Sequence, residues 1–255
     1  MAALTYFVSD AHLGSGADSM ERERELCSFL DGISSDCRRL FLLGDIFDFW
    51  FTYRHVVPRG HVRLLGKLAE MADSGVEIHF FIGNHDMWLF DYLEKECGVI
   101  MHDEPEVFDI DGRRLLIGHG DGLGHLDKGF DLLRRIFRSP VNQRLLTLLP
   151  TSWVFPFARR WSDRNKVKHA RRDTLHYMGD NREGIVLYCR QRMAAEHLDY
   201  CVFGHRHTPL VKQLGQNTQY VNTGDWMLNR NYAVYNPETQ KLRLFDLRKG
   251  EIEPC

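Results

Sequence analysis

The side chains that could do chemistry fall in five short clusters of the 255-residue chain. They read D-A-H at Asp10 to His12, G-D-I-F-D at Gly44 to Asp48, G-N-H-D at Gly83 to Asp86, G-H-G-D at Gly118 to Asp121 and G-H-R-H at Gly204 to His207. Mixed carboxylate, imidazole and amide donors suit manganese, iron or zinc better than calcium, which prefers oxygen alone. A single D-x-H or H-x-H is a weak sign of a metal. The five together, in this order, are specific. Glycines precede Asp45, Asn84, His119 and His205, where they let the chain turn tightly.

Each cluster follows a short apolar run with the character of a buried strand: Leu4 to Val8, Leu40 to Leu43, Val76 to Ile82, Leu115 to Ile117 and Tyr200 to Phe203. Further strands are expected at Gln219 to Asn222, Tyr232 to Tyr235 and Leu242 to Phe245. Apolar residues three or four apart predict helices over Glu21 to Leu30, Val62 to Ala72 and Met87 to Lys95. This alternation implies an α/β sandwich, with the late strands forming mostly a second sheet. In open α/β sheets the carboxyl ends of strands share an edge where ligands bind, so five distant pieces of chain would meet there.

The bulk composition, 44% hydrophobic and 27% charged, is that of a globular chain and excludes a disordered or collagen-like one. The net charge of −2 is uneven: Phe130 to Arg172 holds eleven Lys/Arg against two Asp, leaving −11 for the rest. Six cysteines without a C-x-x-C pair suggest reduced thiols rather than a zinc knuckle or redox motif. No charged leader precedes the first apolar run, so export is not expected, and no run approaches the roughly 18 residues of a membrane span. One domain over 1–255 is expected, with a helical lid insertion at about 126–180.

The five motifs resemble the calcineurin-like metallophosphoesterase superfamily from Asp10 to His207. The resemblance implies a β-sandwich flanked by helices, in αββα layers, around two divalent ions. Asp10, His12, Asp45 and His207 would hold one ion, and Asp45, Asn84, His119 and His205 the other, with Asp45 bridging. Mn2+ is the favoured metal. Such a pair, about 3.5 to 4 Å apart, activates water and polarises phosphoryl oxygens, so no covalent enzyme intermediate is needed. His85 is similar to the superfamily histidine that stabilises the transition state or protonates the leaving oxygen, and Asp86 is the carboxylate expected to orient it. Asp48 and Asp121 are expected to be hydrogen-bond partners rather than ligands. Phe47, Phe49, Trp50 and Phe51 are expected to pack in the core, part of them walling an apolar pocket. Eight histidines outside the motifs, among them His79 and His102, are taken as ordinary surface or core residues.

The insertion carries apolar stripes (Phe130, Leu133, Ile136, Phe137, then Leu145, Leu146, Leu148, Leu149), an aromatic stretch from Trp153 to Trp161, and interleaved arginines and lysines. A basic amphipathic segment suits either a solvated face or a substrate with acyl chains and phosphates at an anionic membrane. The F-V-S-D-A-H-L-G start, the H-G-D-G-L-G-H-L-D-K-G-F stretch and the insertion look like the UDP-2,3-diacylglucosamine pyrophosphohydrolases of lipid A biosynthesis. That resemblance implies cleavage of a nucleotide-lipid to UMP and 2,3-diacylglucosamine 1-phosphate, by a cytoplasmic protein peripheral on the inner membrane. It implies substrate contacts at Asn84, His85, His205, Asp127, Asn165, Lys166, His169 and Arg172. One departure is His85, where the best-known branch has arginine. The alternatives are a phosphodiesterase or phosphatase of broader, soluble substrate range, a nuclease, and a binding module without turnover. The Leu- and Phe-rich insertion argues against nucleic acid, and the complete donor set argues against a module. Oligomeric state is not legible.

Overall fold

Unbroken apolar strands arise where a sheet is buried on both faces, as at the centre of both sheets of this chain. The computed structural model describes residues 3–125, 128–158, 160, 177 and 179–254. In the first sheet β1 (Leu4–Val8), β2 (Cys37–Leu42), β3 (Glu77–Phe81) and β4 (Ile100–His102) run parallel. In the second, β5 (Glu106–Ile110) is antiparallel to β6 (Arg113–Gly118), which runs parallel to β7 (Tyr200–Phe203). That sheet is completed by β9 (Thr218–Thr223), parallel to β7, and by β8 (Pro209–Leu214), antiparallel to β9.

Successive side chains go to opposite faces. Phe7, Phe41, Leu43 and Phe81 meet Leu115, Ile117, Val202 and Val221 between the sheets. Their neighbours Val8, Leu40, Leu42 and Phe80 pack outward, in the core shared with α1 (Ser19–Ile33), α2 (Val62–Asp73) and α3 (Tyr92–Cys97). On the far side, Leu116, Cys201, Phe203 and Tyr220 pack with Ile185, Val186 and Cys189 of α7 (Gly184–Ala195). The layers are therefore αββα.

Two expectations are corrected. The late strands do not mostly form the second sheet: β10 (Asn231–Asn236) pairs antiparallel with β1, and β11 (Lys241–Asp246) and β12 (Gly250–Ile252) extend the first sheet from there. The helix expected from Met87 to Lys95 is confined to α3. Before it, Trp88 bridges to Phe51 and Phe90 takes a left-handed φ of 51°, which ends any helical register.

Between β6 and α7 the chain makes a helical excursion through α4 (Lys128–Arg138), α5 (Pro140–Leu146) and α6, described over residues 151–158. Pro140 at the start of α5 has the φ a first helical turn needs and lacks only an N–H that would have no partner there. The excursion packs on the loops after β2 and β3. Trp88 Nε1 donates to Phe137 O at 3.0 Å, and the Phe49 ring meets Trp88 and Phe155 at 5.7 and 5.4 Å.

Candidate metal centre

All five clusters lie immediately after strands, at the carboxyl ends of β1, β2, β3, β6 and β7. Backbone hydrogen bonds stitch them together: Asp10 N donates to Gly44 O at 3.0 Å, His12 N to Asp45 O at 2.9 Å and Gly204 N to His119 O at 3.0 Å. From α1 the buried Arg22 guanidinium donates to the carbonyls of Ala11, His12 and Ser15, fixing the first loop. Asp10, His12, Asp45, His205 and His207 all have φ between 43° and 68°, a region costly for residues with a Cβ and concentrated at functional sites. A Cβ on Gly83 would lie 2.2 Å from Asp45 Oδ1, and one on Gly204 2.7 Å from Asp10 Oδ2, so both must be glycine.

The donor atoms converge. His12 Nε2 is 3.2 Å from His207 Nε2, which is 3.2 Å from Asp10 Oδ1. Across Asp45, whose Oδ2 is 3.8 Å from His12 Nε2 and 3.5 Å from His119 Nε2, lies a second group. There His119 Nε2 is 3.2 Å from His205 Nδ1 and 3.4 Å from Asn84 Oδ1. Asp10, His12 and His207 form one set able to hold a cation, Asp45, His119 and His205 another, and His12, Asp45 and His85 a third between them.

A divalent metal fits these residues. Asp10 Oδ1 is buried facing ring nitrogens of His207 and His12, and the ring nitrogens of His12 and His207, and of His119 and His205, face one another. Atoms each about 2.2 Å from a shared ion, at right angles, stand about 3 Å apart, as these do. Supporting contacts leave the facing nitrogens available: His119 Nδ1 is 2.6 Å from Leu43 O. The buried carboxylates also draw positive charge to themselves. Burial alone would raise Asp45, yet the neighbouring imidazoles, His119 foremost, hold it well below the carboxylate range. Against burial, the carboxylates of Asp45 and Asp10 lift His119 to about 10, while burial pushes His12 and His205 down to about 4.

Asp86 does not orient His85, contrary to expectation. Its two oxygens accept from the backbone N–H groups of Gly83, Ile46 and Phe47, at 2.8, 2.8 and 3.3 Å, and no ion pair or hydrogen bond joins it to the His85 ring. Burial, with the Asp45 charge, raises it to about 7. The partner of His85 is Asp48: His85 Nδ1 is 2.9 Å from its carbonyl oxygen and 3.6 Å from Oδ1, which is also 3.4 Å from His12 Nδ1. Asp121 pairs instead with Arg134 Nε at 3.0 Å. Phe47, Trp50 and Phe51 are fully buried, whereas Phe49 faces a cavity. Asp127, Asn165, Lys166, His169 and Arg172 lie outside the described residues.

That cavity, about 790 Å³, runs from Asp48, Asn84 and His85 along the inner side of α4, α5 and α6, where Leu133, Phe137, Leu146, Leu149, Trp153 and Phe157 line it. The excursion's basic residues are partly engaged: Arg134 and Arg138 both pair with Glu104. Sequence reasoning missed Arg22, Trp88 and the polar Asn222-Thr223-Gly224-Asp225 stretch that closes β9 and follows it. Asn222 donates to Gly204 O at 2.6 Å and the Thr223 hydroxyl meets Ser9 Oγ at 2.7 Å. The rule that located the five clusters, polar residues directly after a strand, would have found this sixth one.

An αββα sandwich with carboxylate, imidazole and amide donors gathered at the carboxyl ends of its strands defines the class of metal-dependent phosphoester hydrolases. Residues 4–209 match the family described as calcineurin-like phosphoesterase, and the chain belongs to it. A protein of Porphyromonas gingivalis named UDP-2,3-diacylglucosamine hydrolase is 36% identical over 252 residues, covering 94% of this chain and 96% of its own. One of the same name from Nitrosococcus oceani is 28% identical, covering 98% and 99%. The solved phosphoesterase Yfce from E. coli is 17% identical with a TM-score of 0.48, covering 98% of this chain and 97% of its own. The chain is a hydrolase, and its family and His/Asp groups indicate a divalent metal.

Proposed function

We propose that this hydrolase cleaves the pyrophosphate of UDP-2,3-diacylglucosamine, releasing UMP and 2,3-diacylglucosamine 1-phosphate. The observation that carries the reading is the cavity: a single space joins the donor cluster at Asn84 and His85 to a groove walled by leucines and aromatic rings. A soluble nucleotide has no use for such a groove, whereas acyl chains do. The relatives' name points to the same substrate.

Asp10, His12, Asp45 and His207 would hold one ion and Asp45, Asn84, His119 and His205 the second, with Asp45 between them. Manganese suits this mixture of hard and borderline donors. When bound, the ions act as Lewis acids toward the phosphoryl oxygens and activate water. The chain's own residues do the rest. His85, at the boundary of donor cluster and cavity, is placed to give a proton to the leaving oxygen, and Asp48 fixes its ring. The excursion from α4 to α6 acts as a lid over about 126–180, within one domain, and its apolar wall keeps water from the acyl chains. The protein would work at the cytoplasmic face of the inner membrane, lying on it; no described helix is long and apolar enough to cross one.

The test is product analysis with manganese present, comparing UDP-2,3-diacylglucosamine with a soluble nucleotide diphosphate and a phosphopeptide. UMP and a diacyl sugar phosphate are the expected products, with kcat/KM at least about a hundredfold above either soluble compound. Preference for a soluble one would end the lipid reading.

A further inference from the structure

Helix α4 delivers one arginine to the junction of the apolar cavity and the donor cluster. Arg134 lines the cavity with Asp48, Asn84 and His85, and is the one permanently charged cation among the described residues that do so. It also closes a small cleft behind His119, shared with Asp103, Glu104 and Asp121. Its place is enforced from two sides. Nε is 3.0 Å from Asp121 Oδ2, and Nη2 is 3.1 Å from Glu104 Oε1. Asp121 is only 4% exposed and follows His119 by two residues, so this anchor is part of the strand-end framework. Glu104 is 59% exposed, and a pair of that kind holds little. Neither contact uses Nη1, which has two further N–H donors to offer.

We infer that Arg134 contacts the substrate's diphosphate and sets the preference for an anionic centre joined to apolar chains. The inference rests on the proposed phosphoester hydrolysis. An anion drawn to the end of an apolar groove loses water on one side and needs a charged, already oriented donor there. A guanidinium matches the flat array of phosphoryl oxygens, and one pinned by a buried carboxylate gives up little freedom on binding.

The experiment compares Arg134→Gln, Arg134→Lys and Glu104→Gln in the full chain with manganese, on UDP-2,3-diacylglucosamine, together with inhibition by UMP. Arg134→Gln should lower kcat/KM about 10- to 100-fold, the usual effect of losing a hydrogen bond to a charged group, and weaken UMP inhibition in parallel. Arg134→Lys should recover part of both, and Glu104→Gln should stay within about twofold of the parent. Equal losses in Arg134→Gln and Glu104→Gln would show that the arginine only ties the helix down, and would overturn the inference. So would unchanged UMP inhibition in Arg134→Gln. A parent chain that hydrolyses no phosphoester at all, including bis(4-nitrophenyl) phosphate, would instead defeat the underlying reading.

Discussion

An aspartate beside a histidine can fix the ring or simply share its neighbourhood, and two aspartates near His85 divide along that line. Asp48 turns its carbonyl oxygen to Nδ1 of His85 and its carboxylate to Nδ1 of His12, so backbone and side chain together set which nitrogen of each ring is left for chemistry. Asp86 spends both oxygens on three backbone N–H groups and so ties the loop after β3 to the one after β2. Opposite phenotypes follow. Asp48→Asn keeps the carbonyl on His85 but alters the group facing His12, and should reduce metal affinity or kcat about 10- to 100-fold with the melting temperature little changed. Asp86→Asn turns a donor toward a backbone N–H and should cost about 1–3 kcal/mol of stability, with kcat retained at low temperature. Kinetics and thermal melts of the two proteins check this; the reverse pattern would restore Asp86 as the orienting group. The sequence placed the seven expected donors at one edge because each directly follows a strand, a local and readable fact. It could not assign the two aspartates. Both sit in turns at similar distance from a donor residue, and only the path of the folded backbone decides which carboxylate meets a ring.

At the scale of elements, β3 and β4 are joined by more than their ladder. His79 Nδ1 is 2.9 Å from His102 Nε2, His79 Nε2 is 3.0 Å from Glu77, and His102 Nδ1 is 3.1 Å from Glu106 of β5. Arg39 of β2 in turn donates to Glu77 at 3.1 Å. Burial, opposed by Glu77 and aided by His102 and Arg39, pushes His79 below its ordinary 6.5. The folded chain therefore binds this proton more weakly than the unfolded one. Stability from this group is complete above about pH 6.5 and declines as pH falls below it, by at most about 1.4 kcal/mol per unit. Urea midpoints at pH 7.5 and 5.5 should fall more steeply for the parent than for His79→Phe, which keeps the stacking on Phe41. Equal slopes would exclude His79 as the source. The pairing of His79 with His102 was not legible because β4 is three residues long, too short for periodicity to reveal. β5 and β8 interrupt their apolar positions with charge, and the register of β10 on β1 joins residues more than 220 apart, so sheet membership lay beyond any local pattern.

The whole molecule is electrically lopsided and apolar in one place, and the two features coincide. The segment from Phe130 to Arg172 carries a net +9 within a chain of −2. On the outer side of its described part, Val141, Leu145 and Leu148 are 64%, 56% and 77% exposed, and none of them lines the cavity. Arg135 of α4 and Arg144 of α5 are exposed as well. Fully burying one such aliphatic chain is worth about 1.5–3 kcal/mol, and each nearby basic residue adds about 1 kcal/mol at an anionic surface. On the proposed function, three side chains entering only part-way would supply enough to hold the protein on a membrane, with the opening of the cavity beside the lipid substrate. The parent should therefore sediment with phosphatidylglycerol vesicles at low salt and be released as salt rises. Val141→Ser, Leu145→Ser and Leu148→Ser combined should weaken that association at least about tenfold, and slow hydrolysis of vesicle-borne substrate to match. Turnover of the same lipid dispersed in detergent should be unaffected, because the inner wall of the cavity is intact. Undiminished sedimentation of the triple variant would remove these residues from the contact and assign it to the basic residues instead.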